Sequence, residues 1–154
     1  MKITILAVGK LKEDYLREAA AFFSQQLSRH CFFEIIELPD EKNGDNPSPA
    51  AEETIKKIEG TKILKRIKPS HFVAALAIEG EPLSTPGLRA KLKTWQHHGK
   101  EDFVFVIGGS LGLSQEVLKR ADYKISFSPM TFPHQLMRIM LMEQIYTVLK
   151  GSAQ

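Results

Sequence analysis

Two runs, Phe72-Val73-Ala74-Ala75-Leu76-Ala77-Ile78 and Phe103-Val104-Phe105-Val106-Ile107, contain no polar side chain. A strand with one face in water alternates polar and apolar residues, so these runs belong to strands covered on both faces, as in a parallel sheet flanked by helices. Parallel strands need crossover helices, and the chain supplies them. Lys2 to Val8 is a β-branched run ended by Gly9-Lys10. Leu16, Ala19/Ala20, Phe23 and Leu27 then recur at helical spacing within Lys12 to Arg29, and Cys31 to Leu38 is a second β-rich run closed by Pro39. Strand, helix, strand is the repeating unit of a doubly wound α/β parallel sheet.

The alternation continues to the end of the chain. Asp40 to Ala50 is polar and rich in turn formers, an expected exposed loop. Ser48 can cap a helix with Pro49 in its first turn and Ala50 to Lys57 as its body, interrupted at Gly60, with a second short turn over Thr61 to Arg66. His71 to Ile78 is the third strand and Glu79-Gly80-Glu81-Pro82 a turn at its end. Ser84 or Thr85 caps a helix reaching about His97. Asp102 to Ile107 is the fourth strand, Ser114 caps Gln115 to Arg120, Tyr123 to Phe127 is a fifth strand, and the last helix runs from about Pro133 to Leu149. That helix is apolar almost all round, which predicts cover from a second side by another subunit.

With 154 residues, 43% of them hydrophobic, one cored domain spanning 1–154 is expected. A net charge of +3 is compatible with an anionic partner. The lone Cys31 excludes an internal disulfide, Met1 leads directly into a strand-like run, and no apolar run approaches the ~18 residues that span a bilayer, so a cytoplasmic protein is expected. His30, His71, His97, His98 and His134 lack metal-ligand spacing, and no metal is expected. Lys56, Lys57, Lys62, Lys65, Arg66 and Lys68 form a basic run that reads either as a solvated helix face or as a set of phosphate contacts.

Two turns at strand ends are the candidate ligand sites. Gly108-Gly109-Ser110-Leu111-Gly112 fits Gly-x-Ser-x-Gly, the nucleophile elbow of serine hydrolases, with Asp122 and His134 following in order. An elbow needs its helix directly behind the serine, whereas the helix here is expected only after Ser114. A dinucleotide loop is disfavoured because Gly-x-Gly-x-x-Gly and the acidic residue ~20 positions on are missing. A nucleotide held by backbone groups near Gly108 and Gly109, or a tight turn alone, both remain open.

The segment Ser126-Phe127-Ser128-Pro129-Met130-Thr131-Phe132-Pro133-His134-Gln135-Leu136, with Phe105-Val106-Ile107-Gly108-Gly109, Glu59-Gly60 and Glu143-Gln144-Ile145-Tyr146, carries a resemblance that spans nearly the whole chain. It resembles the small SPOUT-class methyltransferases that methylate N3 of a pseudouridine in large-subunit ribosomal RNA. The resemblance implies a parallel-sheet α/β sandwich with a C-terminal trefoil knot, a homodimer through the last helix, and S-adenosylmethionine as cofactor. It also implies the ribosomal RNA of the ribosome as partner. Position by position, the implied cofactor contacts are Leu76, Gly108, Phe127, Ser128, Pro129, Met130, Thr131 and Phe132. For the proton on the target nitrogen, His134 as a base and Arg138 as a cation are candidates by location. The family typically follows the tyrosine with arginine and ends in Pro-Tyr-His. Here Tyr146 precedes Thr147 and the sequence ends Gly151-Ser152-Ala153-Gln154. A catalytically weak, ribosome-associated cofactor-binding protein is therefore the second alternative beside a hydrolase using Ser110.

Overall fold

The computed structural model describes residues 1–41, 44 and 46–152. Its elements are β1 (Lys2–Val8), α1 (Asp14–Leu27), β2 (Phe32–Leu38), α2 (Pro49–Leu64), β3 (Phe72–Pro82), α3 (Thr85–His97), β4 (Asp102–Ile107), α4 (Gln115–Arg120), β5 (Tyr123–Ser126) and α5 (His134–Ser152). The five strands form one sheet in the order β2-β1-β4-β3-β5, and every pairing is parallel.

Period-two alternation distributes the strand side chains between two cores. Ile3, Ile5 and Ala7 of β1, with Phe103, Phe105 and Ile107 of β4, face α1, α3 and α5, where Leu16, Leu92, Leu141 and Ile145 meet them. Leu6, Val8, Val104 and Val106 face the other way, onto Ile63 of α2 and Val117 of α4. These side chains are nearly inaccessible, Ile3, Ile5 and Val106 at 0%, and each Ile, Leu, Val or Phe among them contributes about 1.5–3 kcal/mol when removed from water. Two-sided burial is why the strands read as uninterrupted apolar runs.

Three helix starts follow the sequence. The Ser48, Ser84 and Ser114 hydroxyls accept the amides of Ala51, Gly87 and Val117 at 3.1, 3.1 and 3.3 Å. Other boundaries differ. Gly60 does not interrupt α2, which runs unbroken from Pro49 to Leu64. It is a contact glycine instead: a Cβ there would stand 2.3 Å from the Ser114 hydroxyl and 3.3 Å from Val117 Cγ2, so α2 lies directly on the start of α4. The fifth strand stops at Ser126 rather than Phe127, and α5 continues to Ser152. Of the loop expected over Asp40 to Ala50, residues 42, 43 and 45 lie outside the described residues, as do Ala153 and Gln154 of the terminal segment.

The largest departure is at Glu79–Pro82, expected as a turn but part of β3. Leu76 pairs with Ile125; the chain then makes an irregularity, and Glu81 pairs with the same Ile125, followed by Pro82 with Ser126. Gly80 lies flat on β5, where a Cβ would be 2.7 Å from the Lys124 carbonyl carbon and 2.8 Å from the Ile125 nitrogen. The Tyr123 hydroxyl donates to Glu81 Oε2 at 2.6 Å across this contact, and burial together with that carboxylate pushes the phenol pKa up to about 12. The turn-forming composition serves a close backbone crossing that local propensity does not reveal.

The crossing has a direct test. Gly80→Ala forces a methyl into backbone atoms that have no rotamer to yield, and it should cost about 2 kcal/mol or more in urea unfolding. Gln25→Ala on the exposed face of α1 should stay within about 0.5 kcal/mol.

Candidate active site

In a parallel sheet the strands present all their carboxyl ends to one edge, and the loops leaving them share one crevice. Here Leu76 to Glu79 of β3, the Ile107 to Leu113 segment after β4, and Ile125 to Phe132 at and after β5 enclose a cavity of 790 Å³. That falls in the range of about 300–1,000 Å³ common for small-molecule sites. Leu76, Ile125, Phe127 and Met137 supply apolar wall, and backbone of the glycine turn supplies much of the rest.

Glycine is required at the wall. A Cβ on Gly108 would fall 2.9 Å from the carbonyl carbon and oxygen of Gly112 and 2.9 Å from Leu113 Cδ2. Gly112 has φ +90 and donates its amide to the Gly109 carbonyl at 3.1 Å, closing the turn. Opposite it, the loop after β5 is fixed by its serines. The Ser126 hydroxyl donates to the Ser128 carbonyl at 3.3 Å, and the Ser128 hydroxyl accepts the Met130 amide at 3.0 Å.

Of the residues singled out from sequence, Leu76, Gly108, Phe127, Ser128, Met130, Thr131, Phe132 and His134 line this cavity. Pro129 and Arg138 do not. Pro129 belongs to the same loop but is exposed outside the wall. Met130 stands at the rim with 70% of its surface open.

Arg138 is 2% exposed. Its Nη2 donates to the Gly9 carbonyl at 3.0 Å and its Nη1 pairs with Glu37 at the end of β2. It ties the start of α5 to the carboxyl ends of β1 and β2. His134, one turn earlier, has its Nε2 3.6 Å from the point a Cβ of Gly9 would occupy. Burial lowers the His134 pKa below 6.5, Asp40 opposes this, and Arg138 and Lys12 add to it. A neutral imidazole at a cavity wall can accept a proton at ordinary pH.

The sequence reading missed Ser126, Ile125, Met137, Gln115 and Lys56 as lining residues. Ile125 and Ser126 were legible as strand but not as wall. Lys56 arrives from α2, across the sheet order, with no local signal; it is also ion-paired to Glu53 at 2.8 Å. Lys62 pairs with Glu41 at 3.0 Å, whereas Lys65 and Arg66 are exposed on the same helix end. Half-buried Cys31 has its thiol pKa pushed up to about 11 by burial. Such a thiol is protonated at neutral pH and a poor nucleophile.

The serine-hydrolase geometry is not assembled. Ser110 is exposed in the middle of a tight turn, and the helix begins five positions later at Gln115. Asp122 precedes β5 and accepts the Val73 amide at 2.8 Å, so it lies at the amino edge of the sheet while Ser110 follows the carboxyl end of β4. Parallel strands place those two positions on opposite edges. Among the described residues no three His, Cys, Asp or Glu side chains are grouped to hold a metal ion, and no helix is long and apolar enough to cross a membrane.

A family model described as "Predicted SPOUT methyltransferase" matches residues 1–152. The chain belongs to the SPOUT methyltransferase family. It is 51% identical over 153 residues to ribosomal RNA large subunit methyltransferase H of Bifidobacterium adolescentis, covering 99% of this chain and 96% of that protein. It is 52% identical over 146 residues to ribosomal RNA large subunit methyltransferase H 1 of Clostridium perfringens, covering 95% and 92%. The crevice formed by β3, β4 and β5 is thus described in a SPOUT methyltransferase.

The environment of His134 sets a pH dependence. Its folded pKa lies below the unfolded value, so below about 6.5 the unfolded chain binds more protons at this site. The stability it contributes is complete above that value and is lost as pH falls through the folded pKa. A proton NMR titration should place the His134 midpoint below the 6.5 of an unperturbed imidazole.

Proposed function

We propose that the chain is an S-adenosylmethionine-dependent methyltransferase that modifies N3 of a pseudouridine in large-subunit ribosomal RNA, on the ribosome. The observation that carries the reading is the convergence of the glycine turn and the Phe127 to Phe132 loop on one apolar cavity, in a chain of this family. The names of the two relatives supply the class of RNA. Membership of the family also implies a knotted C-terminal part, within one domain.

The residues fit the cofactor's chemistry. Leu76, Phe127, Met130 and Phe132 offer apolar surface to an adenine, and Gly108, Thr131 and neighbouring backbone offer polar groups, with Ser128 and Pro129 shaping the loop. No acidic ribose partner is needed where a purine is held by apolar walls and amides. When bound, S-adenosylmethionine supplies an electrophilic methyl group on a sulfonium.

Catalysis then rests on positioning and on the proton at the target nitrogen. N3 of pseudouridine carries that proton, and its removal leaves an imide anion. His134, held neutral by burial at the cavity wall, is the residue to accept it. Arg138 keeps Gly9 and the first turn of α5 in place, so that the imidazole stays against the wall. Being buried and ion-paired, its guanidinium acts on the base through structure and field.

A homodimer through α5 belongs to the same proposal. Within the chain, α5 packs on α1, α3 and β4, and Leu141, Met142, Ile145 and Val148 are buried there. That internal cover accounts for much of the helix's apolar girth. Leu136 remains 38% exposed, and a 450 Å³ groove with an apolar wall of Phe23, Leu83, Leu88, Phe127, Ile139 and Met140 stays open beside the helix. Its lining residue Phe127 also lines the main cavity, so a second subunit in the groove would stiffen the cofactor loop.

Titration calorimetry should detect S-adenosylmethionine binding, and methyl transfer to ribosomes from a strain lacking the modification should follow. His134→Ala should lower kcat by about 100-fold, as loss of a general base does, with cofactor affinity within about threefold. Absence of cofactor binding at millimolar concentration would remove the reading. Binding without transfer would favour the catalytically weak, ribosome-associated cofactor-binding protein. Sedimentation at micromolar concentration should give the dimer mass, and a monomer would exclude the dimer.

A further inference from the structure

Glu59 is a buried carboxylate in the middle of α2, only 5% exposed, on the side of the glycine turn away from the cavity-lining loop of β5. Burying a carboxylate is unfavourable unless hydrogen bonds compensate, and burial raises this one's pKa above the ordinary 4.5. One hydrogen bond engages it, and the Gly109 turn packs close to it. Its Oε2 accepts the Glu41 amide at 3.0 Å, and its two oxygens lie 3.1 and 3.4 Å from where a Cβ of Gly109 would stand. Gly109 is thus seated between Glu59 and Val8, whose Cγ1 is 3.3 Å from the same point.

The same helix takes hold of Glu41 a second time. Lys62, one turn after Glu59, pairs with the Glu41 side chain at 3.0 Å. Residue 41 is therefore held by backbone and by side chain, immediately after Asp40, whose charge acts on His134. One helix touches both the back of the glycine turn and the segment leaving β2.

We propose that Glu59 is a positioning residue for the cofactor cavity. Its carboxylate seats the Gly109 turn and, with Lys62, clamps Glu41 where the chain leaves β2. This rests on the methyltransferase reading and adds to it a residue that does not line the cavity. The acceptor oxygen and side-chain shape carry the role, so glutamine should serve where alanine does not.

The test compares wild type, Glu59→Gln, Glu59→Ala and Lys62→Ala by calorimetry with S-adenosylmethionine, by thermal melting and by the split between KM for cofactor and kcat. Glu59→Ala should bind cofactor about tenfold or more weakly, with kcat at saturating cofactor within about threefold of wild type. Glu59→Gln should restore affinity to within about threefold, and Lys62→Ala, which removes only the outer half of the clamp, should cost about threefold. Lys62 is 34% exposed, so its variant reports even if Glu59→Ala does not fold. Unchanged affinity in Glu59→Ala or Lys62→Ala, or an equal loss in Glu59→Gln and Glu59→Ala, overturns the proposal. If wild type itself binds no cofactor, the methyltransferase reading falls and this inference with it; if wild type binds and the variants bind equally, only this inference falls.

Discussion

β5 joins the sheet beside β3, and not beside β4 that precedes it in the chain, and the site depends on that placement. The pairing is made twice on one residue: Leu76 and Glu81 both meet Ile125, with Gly80 pressed on the backbone between them. Strand hydrogen bonds are directional, so a pairing of this kind fixes position along and across the sheet. It puts the end of β3 against the start of the Phe127 loop and leaves β4's glycine turn as the third side. A cavity wall of three chain segments results, none of which would hold its shape alone.

A second constraint acts at the start of α5. A buried guanidinium without compensation would be strongly unfavourable, and Arg138 is compensated by Glu37 and the Gly9 carbonyl, contributed by β2 and by the end of β1. Arg138 is therefore a two-point fastening of helix to sheet. His134 lies on the same side of the helix one turn away, and its lowered pKa combines the loss of solvent with the nearby positive charge. Helix packing and acid–base character at this end of the site share one cause.

Much of this was legible beforehand. Apolar runs without alternation announced two-sided burial, and helical periodicity placed α1, α3 and α5. Ser48, Ser84 and Ser114 announced helix starts because a cap is a local interaction between residues three apart. Leu76, Gly108 and the Phe127 to Phe132 loop were reached through a family resemblance, and all but Pro129 of those positions face the cavity. Illegible were Gly60 and Gly80, where composition spoke of breaks and turns. Each is a glycine because another segment's atoms occupy the space of its Cβ, a fact that belongs to the partner and has no trace in the neighbouring residues. Lys56 and Glu59 were missed for the same reason. From α2, some fifty residues before the glycine turn in sequence, Lys56 reaches the cavity and Glu59 the back of that turn.

The sequence by itself determined the class of fold, the alternation of strands and helices, and the capped helix starts, since burial on two faces and side-chain caps are written in residue type and short spacing. Only the tertiary structure decided the strand order, the folding of Glu79–Pro82 onto β5, the withdrawal of Arg138 from the cavity into a buried ion pair, and the separation of Ser110 from Asp122 on opposite sheet edges. Those outcomes turn on which surfaces meet across long stretches of chain. Such meetings are selected by the packing of the whole molecule and not by any one segment of it.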